Sequence, residues 1–365
     1  MNRIINIVFS PMLILITVGI SYFNFTITGF ISGDKLFQDL LILGMITFGM
    51  SIILFRKDIP KIELSQSLAR KISLYCTFLL LSVSVYMLVI FDYSLSRLVD
   101  ERFAVPGFGI ISSLFTITAV LGVSVIWKFQ GYILKSIYFF FLLFVGITIG
   151  GKGFFFPIMF GFSLAGVVGI RKDFSLFYII LLLLLSIIAL YISVLYADTA
   201  GAGVLNLLNN RIFYAADAVV WVAQLSPFDI QFFPITAGTF VADIFLRLVD
   251  LRINPRSMGA EVAYLVYGTE SGAGPNANLP ILAYLVSQGE MLASILFLAA
   301  AMTLLAAVRR FSFRMLQHTG NKPIFFAVTI FMIPSGIIDL VVYLQMVFWL
   351  LVIYTMCSVR FSRGR

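Results

Sequence analysis

Apolar runs parted by short polar joints fill this chain almost from end to end. One stretch breaks the pattern, residues 197–279. It carries Asp198, Arg211, Asp217, Arg247, Arg252, Arg256, Glu261 and Glu270 among tyrosines, a tryptophan and many glycines. About twenty apolar residues cross a bilayer as a helix. Spans are therefore predicted at 4–23, 36–55, 72–92, 107–127, 132–150, 154–170, 174–196 and 280–308. The run 324–358 is too long for one span and short for two. Pro334, Ser335, Gly336 and Asp339 interrupt it, and it divides into 324–334, short or broken, and 337–358. The pattern predicts an all-α polytopic membrane protein of about ten transmembrane helices. It forms a single integral membrane domain over 1–365, with a helical external loop at 197–279.

Within that loop Leu205, Leu208, Ile212, Ala215, Val219 and Val222 recur at helical spacing and predict an amphipathic helix over 204–225. Asn210, Tyr214, Asp217, Trp221 and Gln224 share another face of it. A second helix is predicted over 237–251, with Phe240, Ile244, Leu248 and Leu251 in register. A third opens at Asn254-Pro255, a cap followed by proline, and stops at Gly268. The Gly-rich stretch Thr269 to Asn278 is predicted to be mobile. Asn278 is expected to cap the next span, with Pro280 in its first turn.

Composition narrows the class. Of the 365 residues, 61% are hydrophobic and 12% charged, with a mean hydropathy of +1.05, where soluble proteins carry about a quarter charged. The first apolar run lacks a small-residue cleavage site and is expected to stay as a span. Cys76 and Cys357 both lie in apolar runs and supply neither a disulfide framework nor a metal motif. A net charge of +8 would suit nucleic acid in a soluble protein. Here it follows the positive-inside rule. With the N-terminus in the cytoplasm and spans alternating, every inner joint is basic. Lys35, Arg97, Arg102, Lys152, Arg211, Arg247, Arg252 and Arg256 are the eight cations left outside, of 25 in all. Both termini then lie in the cytoplasm and the loop 197–279 lies outside.

The candidate chemistry gathers in that loop. Arg256 falls in the first turn of the third predicted helix, where a cation opposes the helix dipole unless an anion joins it. Helix N-termini bind phosphate, and a guanidinium adds a two-pronged contact. The alternative is an arginine touching lipid phosphate at headgroup level. Arg252 lies just upstream. Lys152, in Gly150-Gly151-Lys152-Gly153, is a second phosphate candidate or a snorkelling lysine. Arg211 borders the Asn210, Tyr214 and Trp221 face, which would suit a sugar phosphate or simply a membrane surface. Arg102 follows Asp100 and Glu101, and Arg247 lies four residues from Asp243, so both suit local ion pairs. Glu261, with Tyr264 three residues on, and Asp198 are candidate general bases or neutralising partners for the arginines. Glu270 would belong to a lid, and Asp339 is an ionisable group at a break in a span. His318, the one histidine, falls in a loop placed inside.

Several local features resemble the Wzy-type polymerases of O-antigen and related oligosaccharide repeat units. They are Glu101-Arg102 after span three, the Gly-Gly-Lys-Gly turn at 150–153, Asn210-Arg211 early in the outer loop, and Gly274-Pro275-Asn276-Ala277-Asn278-Leu279-Pro280 running into a span with Gln288-Gly289. Lys152 stands where that family more often has arginine. The resemblance implies a GT-C-like glycosyltransferase in the bacterial inner membrane, working on its periplasmic face. The donor would be a growing glycan on undecaprenyl pyrophosphate, the acceptor one lipid-linked repeat unit, and a chain-length regulator a partner. No cofactor, metal or nucleic acid is implied. Arg256, Arg211, Arg102, Arg252 and Lys152 would neutralise pyrophosphate and Glu261 would accept a proton. Tyr214, Trp221, Tyr264, Asn276 and Asn278 would contact sugar.

Two other classes share the topology. A lipid-linked oligosaccharide flippase would carry its polar residues within spans near the midplane, whereas here they concentrate in one outer loop. An O-antigen ligase resembles this family but is associated with a histidine in the long outer loop. This chain has Ala277-Asn278 near that place and no histidine there.

Overall fold

The computed structural model describes residues 11–31, 33–54, 62, 64–92, 108–126, 132–146, 158, 160–161, 164–165, 217–246, 251, 253–254, 256–268, 278–318 and 323–358. Most of these residues are helical, and there is no strand among them. The first five helices are α1 (Pro11–Ile31), α2 (Lys35–Leu54), α3 (Gln66–Ile90), α4 (Phe108–Ile126) and α5 (Tyr132–Val145). Four short ones follow in the predicted external loop: α6 (Asp217–Val222), α7 (Pro227–Gln231), α8 (Ala237–Leu246) and α9 (Met258–Tyr267). The chain ends with α10 (Leu279–Val286), α11 (Met291–His318), α12 (Pro323–Phe331), α13 (Ile333–Ile338) and α14 (Leu340–Ser358).

Four helices are long and apolar enough to cross a membrane, namely α2, α3, α11 and α14. Shorter apolar helices stand beside them, so the chain is a helical membrane protein. Helices α3, α4, α5 and α14 pack together, and α1, α2, α10, α11 and α13 form a second group, with α12 to α14 joining the two.

One device recurs between neighbouring helices. The Tyr22 hydroxyl donates to Leu40 O at 2.6 Å, Tyr138 to Thr118 O at 3.0 Å and Tyr343 to Thr329 O at 3.3 Å. Each ring lies where a Cβ on a glycine would stand: Gly44 beside Tyr22, Gly122 beside Tyr138 and Gly336 beside Tyr343. Lipid offers helices no hydrophobic reason to associate, so small residues that admit a close neighbour and polar tips that bond across supply the contact. The hydroxyls of Thr47, Ser51, Ser73, Thr77 and Ser84 turn back onto the carbonyl four residues earlier in their own helix. Without water, that is how an isolated hydroxyl is satisfied.

Several predicted elements change, beginning with the first span, expected at 4–23, whose helix runs on to Ile31. The span 280–308 is two helices, because Gln288 and Gly289 take positive φ of 54° and 79°, a left-handed conformation no α-helix continues through. Helix α10, eight residues long, cannot cross a bilayer, and every one of its residues is buried against α2, α11 and α13. The span is carried by α11 instead. The run 324–358 breaks into three helices, and Asp339, extended at φ −151°, caps the last: its Oδ1 accepts from Val342 N at 3.0 Å. The candidate ionisable group at the break thus has a structural role. In the loop, α6 ends at Val222 and α8 at Leu246, so Leu225 and Leu251 fall outside the helices predicted to hold them. Of the predicted spans 154–170 and 174–196, only residues 158, 160–161 and 164–165 are described.

Candidate functional site

Helix α9 has both ends defined within the region 217–268, and they are written in its sequence. Ser257, extended at φ −71° and ψ 162°, is the N-cap, and its hydroxyl accepts from Ala260 N at 3.3 Å. Gly268 closes the helix at φ 65°, its N–H bonded to Tyr264 O. Only glycine takes that conformation without strain, so the predicted stop holds. The predicted start does not. Asn254 and Pro255 precede the helix, and Arg256 lies just before the cap instead of in the first turn.

That shift decides what Arg256 does. Its side chain folds back over the first turns of α9. Nη1 lies 3.5 Å from Glu261 Oε2, and the guanidinium carbon sits 3.6 Å over the Tyr264 ring. Glu261 and Tyr264 are three residues apart and so share a helix face. The carboxylate neutralises the cation, and the ring gives the planar guanidinium a surface to stack on. Glu261 is nearly enclosed, at 8% side-chain exposure, while Arg256 keeps 28%. A cation held by a carboxylate and a ring, yet still 28% exposed, is preorganised to meet an anion.

The loop leading to Arg256 is fixed from below. Asp243, buried on α8, accepts from Ile253 N through Oδ1 at 2.8 Å. One turn further along α9, Trp221 of α6 meets Tyr267 edge to face, with centroids 4.9 Å apart, and α6 also touches α1. Trp221 therefore braces α9 beyond the residue Tyr264 that carries Arg256.

The structure brings together Arg256, Glu261 and Tyr264, with Trp221 one turn away. Asn278 stands on another element, at the N-cap position of α10. Its side chain makes no cap bond, so the expected cap fails. Both amide atoms are buried without a hydrogen-bond partner. Arg102, Lys152, Asp198, Arg211, Tyr214, Arg247, Arg252, Glu270 and Asn276 lie outside the described residues, as does the Gly-rich stretch 269–277. His318 ends α11 and Asp217 begins α6, each with its side chain outside that description.

Three polar side chains have a setting that the sequence reading did not show, and one of them, Asp39, was not singled out at all. Asn254 Nδ2 has no partner, two residues before Arg256. Asp39, one turn into α2, is buried with Oδ2 unpartnered. It is the lone acid in the apolar run 36–55, which was signal enough to single it out. Gln288 Nε2 donates to Phe233 O at 3.4 Å, tying the turn before α11 to the loop. No group of three or more His, Cys, Asp or Glu is placed to hold a metal among the described residues. No family model, curated protein or solved structure matches this chain.

Proposed function

We propose that this protein is a membrane glycosyltransferase that polymerises undecaprenyl-pyrophosphate-linked oligosaccharide repeat units, for O-antigen or a related surface polysaccharide. In this reading ten spans of a GT-C-like architecture sit in the bacterial inner membrane with both termini in the cytoplasm. The loop 197–279 faces the periplasm. The observation that carries it is Arg256, stacked on Tyr264, paired with Glu261 and open on one side. A lipid pyrophosphate leaving group develops charge as the glycosidic bond breaks, and preorganised cations placed against that charge are usually the largest catalytic contribution.

The pairing with Glu261 suggests an order of events. Incoming pyrophosphate draws the guanidinium away from Glu261, since two-pronged contact with phosphate is the stronger bond. The released carboxylate then accepts the proton of the acceptor sugar's hydroxyl as that oxygen attacks the anomeric carbon of the donor glycan. The carbon–oxygen bond to pyrophosphate breaks, and the pyrophosphate departs with the electron pair. Arg211, Arg102, Arg252 and Lys152 are proposed as further pyrophosphate cations. Tyr214, Trp221, Asn276 and Asn278 are proposed as sugar contacts, and a chain-length regulator as a partner. Fixed side-chain cations run this reaction without a metal, so polymerisation in a purified assay is expected to survive EDTA.

Deletion of the gene is the decisive experiment. Lipid cores bearing one repeat unit, in place of a glycan ladder, are expected. Loss of every repeat unit would instead indicate a ligase or flippase.

A further inference from the structure

The depth of α8 in the membrane follows from its neighbours. The apolar stretch of α11 begins after Glu290 and ends at Arg309. Met291 to Val308 spans about 27 Å at the helical rise, close to the roughly 30 Å of a bilayer's hydrocarbon. Leu292 and Leu296 on its first two turns are 71% and 63% exposed, as lipid-facing leucines are. Phe297 is six residues on, about 9 Å inside that boundary. Against Phe297 packs Phe240 of α8, ring centroids 6.1 Å apart.

Helix α8 therefore lies at the level of acyl chains and not in water. Its sequence agrees. Its ten residues hold no lysine or arginine, and its one charged group, Asp243, is turned inward to bond Ile253 N. Phe240 and Ile244 are buried, whereas Val241 and Phe245, four apart and about 100° further round the helix, are 46% and 67% exposed. The free N–H groups that open a helix are costly in hydrocarbon. Here Thr239 N donates to Thr236 Oγ1, while Thr236 N donates to Thr239 Oγ1. The preceding α7 sits at the rim. Gln288 bonds Phe233 O, and Ile230 lies against Gly289.

We infer that α8 is a half-leaflet helix, embedded in the acyl chains of the leaflet at the Glu290 end of α11, with Val241 and Phe245 facing lipid. The occupant of that face is bulk lipid because Leu296, next in sequence to the Phe297 that α8 packs against, is itself 63% exposed on the apolar stretch of α11. The inference holds whichever reaction the protein performs. It also gives the loop before Arg256 a membrane anchor, through Asp243 and Ile253.

Spin-label accessibility tests it. Phe245→Cys, in full-length protein with Cys76 and Cys357 replaced by serine, is labelled with a nitroxide and reconstituted in phosphatidylethanolamine–phosphatidylglycerol vesicles. Collisions with oxygen and with a water-soluble nickel chelate are compared with labels at Leu296, for lipid, and at exposed Asp34, for water. The ratio of oxygen to nickel collisions at 245 is expected to match that at 296 and to exceed that at 34 severalfold. A ratio like that at 34 would overturn the proposal. So would low collision with both reagents, with spin–spin broadening that grows with protein density, because a second copy would then cover the face. Val241→Cys, read by the same criteria, replaces Phe245→Cys if that variant does not fold.

Discussion

The helix bundle and the region 217–268 use the same hydroxyl residues for opposite purposes. In the bundle, Ser73, Thr77 and Ser84 bond back into their own helices and end nothing. In the region 217–268, Ser226 and Asp229 form a reciprocal cap on α7, and Ser257 opens α9. The difference is what surrounds the backbone. In lipid, a helix that stops strands its carbonyls and N–H groups unless a side chain meets them, as Thr236 and Thr239 do at α8, so in the long helices hydroxyls are absorbed and length is preserved. Near water, a side chain that satisfies the first N–H groups lets a helix be short, and short helices can place a side chain such as Arg256 ahead of a cap. The bundle packs through glycine and tyrosine, and the region 217–268 takes its geometry from caps.

The largest effect expected from this contrast is a split between activity and folding. Arg256→Ala should reduce polymer on the order of a hundredfold, the scale of losing one preorganised charge donor, with protein level unchanged. Arg256→Lys should recover only part, because an ammonium neither stacks flat on Tyr264 nor contacts phosphate with two prongs. Quantified glycan ladders check both. An intact ladder from Arg256→Ala would end the pyrophosphate assignment.

In the bundle the reverse should hold. Gly122→Val puts side-chain atoms where the Tyr138 phenol lies, and overpacking of this kind costs about 1–3 kcal/mol. Lower melting temperature in detergent and lower membrane abundance are expected, with activity per folded molecule retained. A melting temperature equal to wild type would mean that α4 and α5 are not in the contact described.

Hydroxyl deletions sharpen the comparison with smaller effects. Ser257→Ala removes the N-cap of α9 and should cost about 1 kcal/mol. That loss should be read locally, as faster amide hydrogen exchange at Ala260 and Glu261. The smallest change expected is for Ser73→Ala. Its carbonyl partner stays within the helix ladder, so stability should move by less than about 0.5 kcal/mol. If Ser73→Ala proves as costly as Ser257→Ala, the two regions do not differ in the way proposed.

Most of the long helices were legible in the sequence, because length and apolarity are local properties that can be read along the chain. Helix α2 was expected at 36–55 and runs from Lys35 to Leu54, and α4 at 107–127 runs from Phe108 to Ile126. The stop of α9 at Gly268 was equally local, since a left-handed residue is glycine's own. The site was legible in part. Arg256, Glu261 and Tyr264 were singled out, but spacing alone could not show that the arginine precedes the cap and folds back to lie on the tyrosine.

What only the tertiary structure decided concerns apolar sequence that does not span. The run after Asn278 is as hydrophobic as any other, yet α10 is encased among α2, α11 and α13 and stops at a left-handed turn that Gln288 fastens to Phe233. Helix α8 has the composition of a span and half the length, and its depth comes only from Phe240 meeting Phe297. Hydropathy reports that a segment avoids water. Whether protein or lipid shields it depends on which other helices arrive beside it, and that is a property of the packed chain.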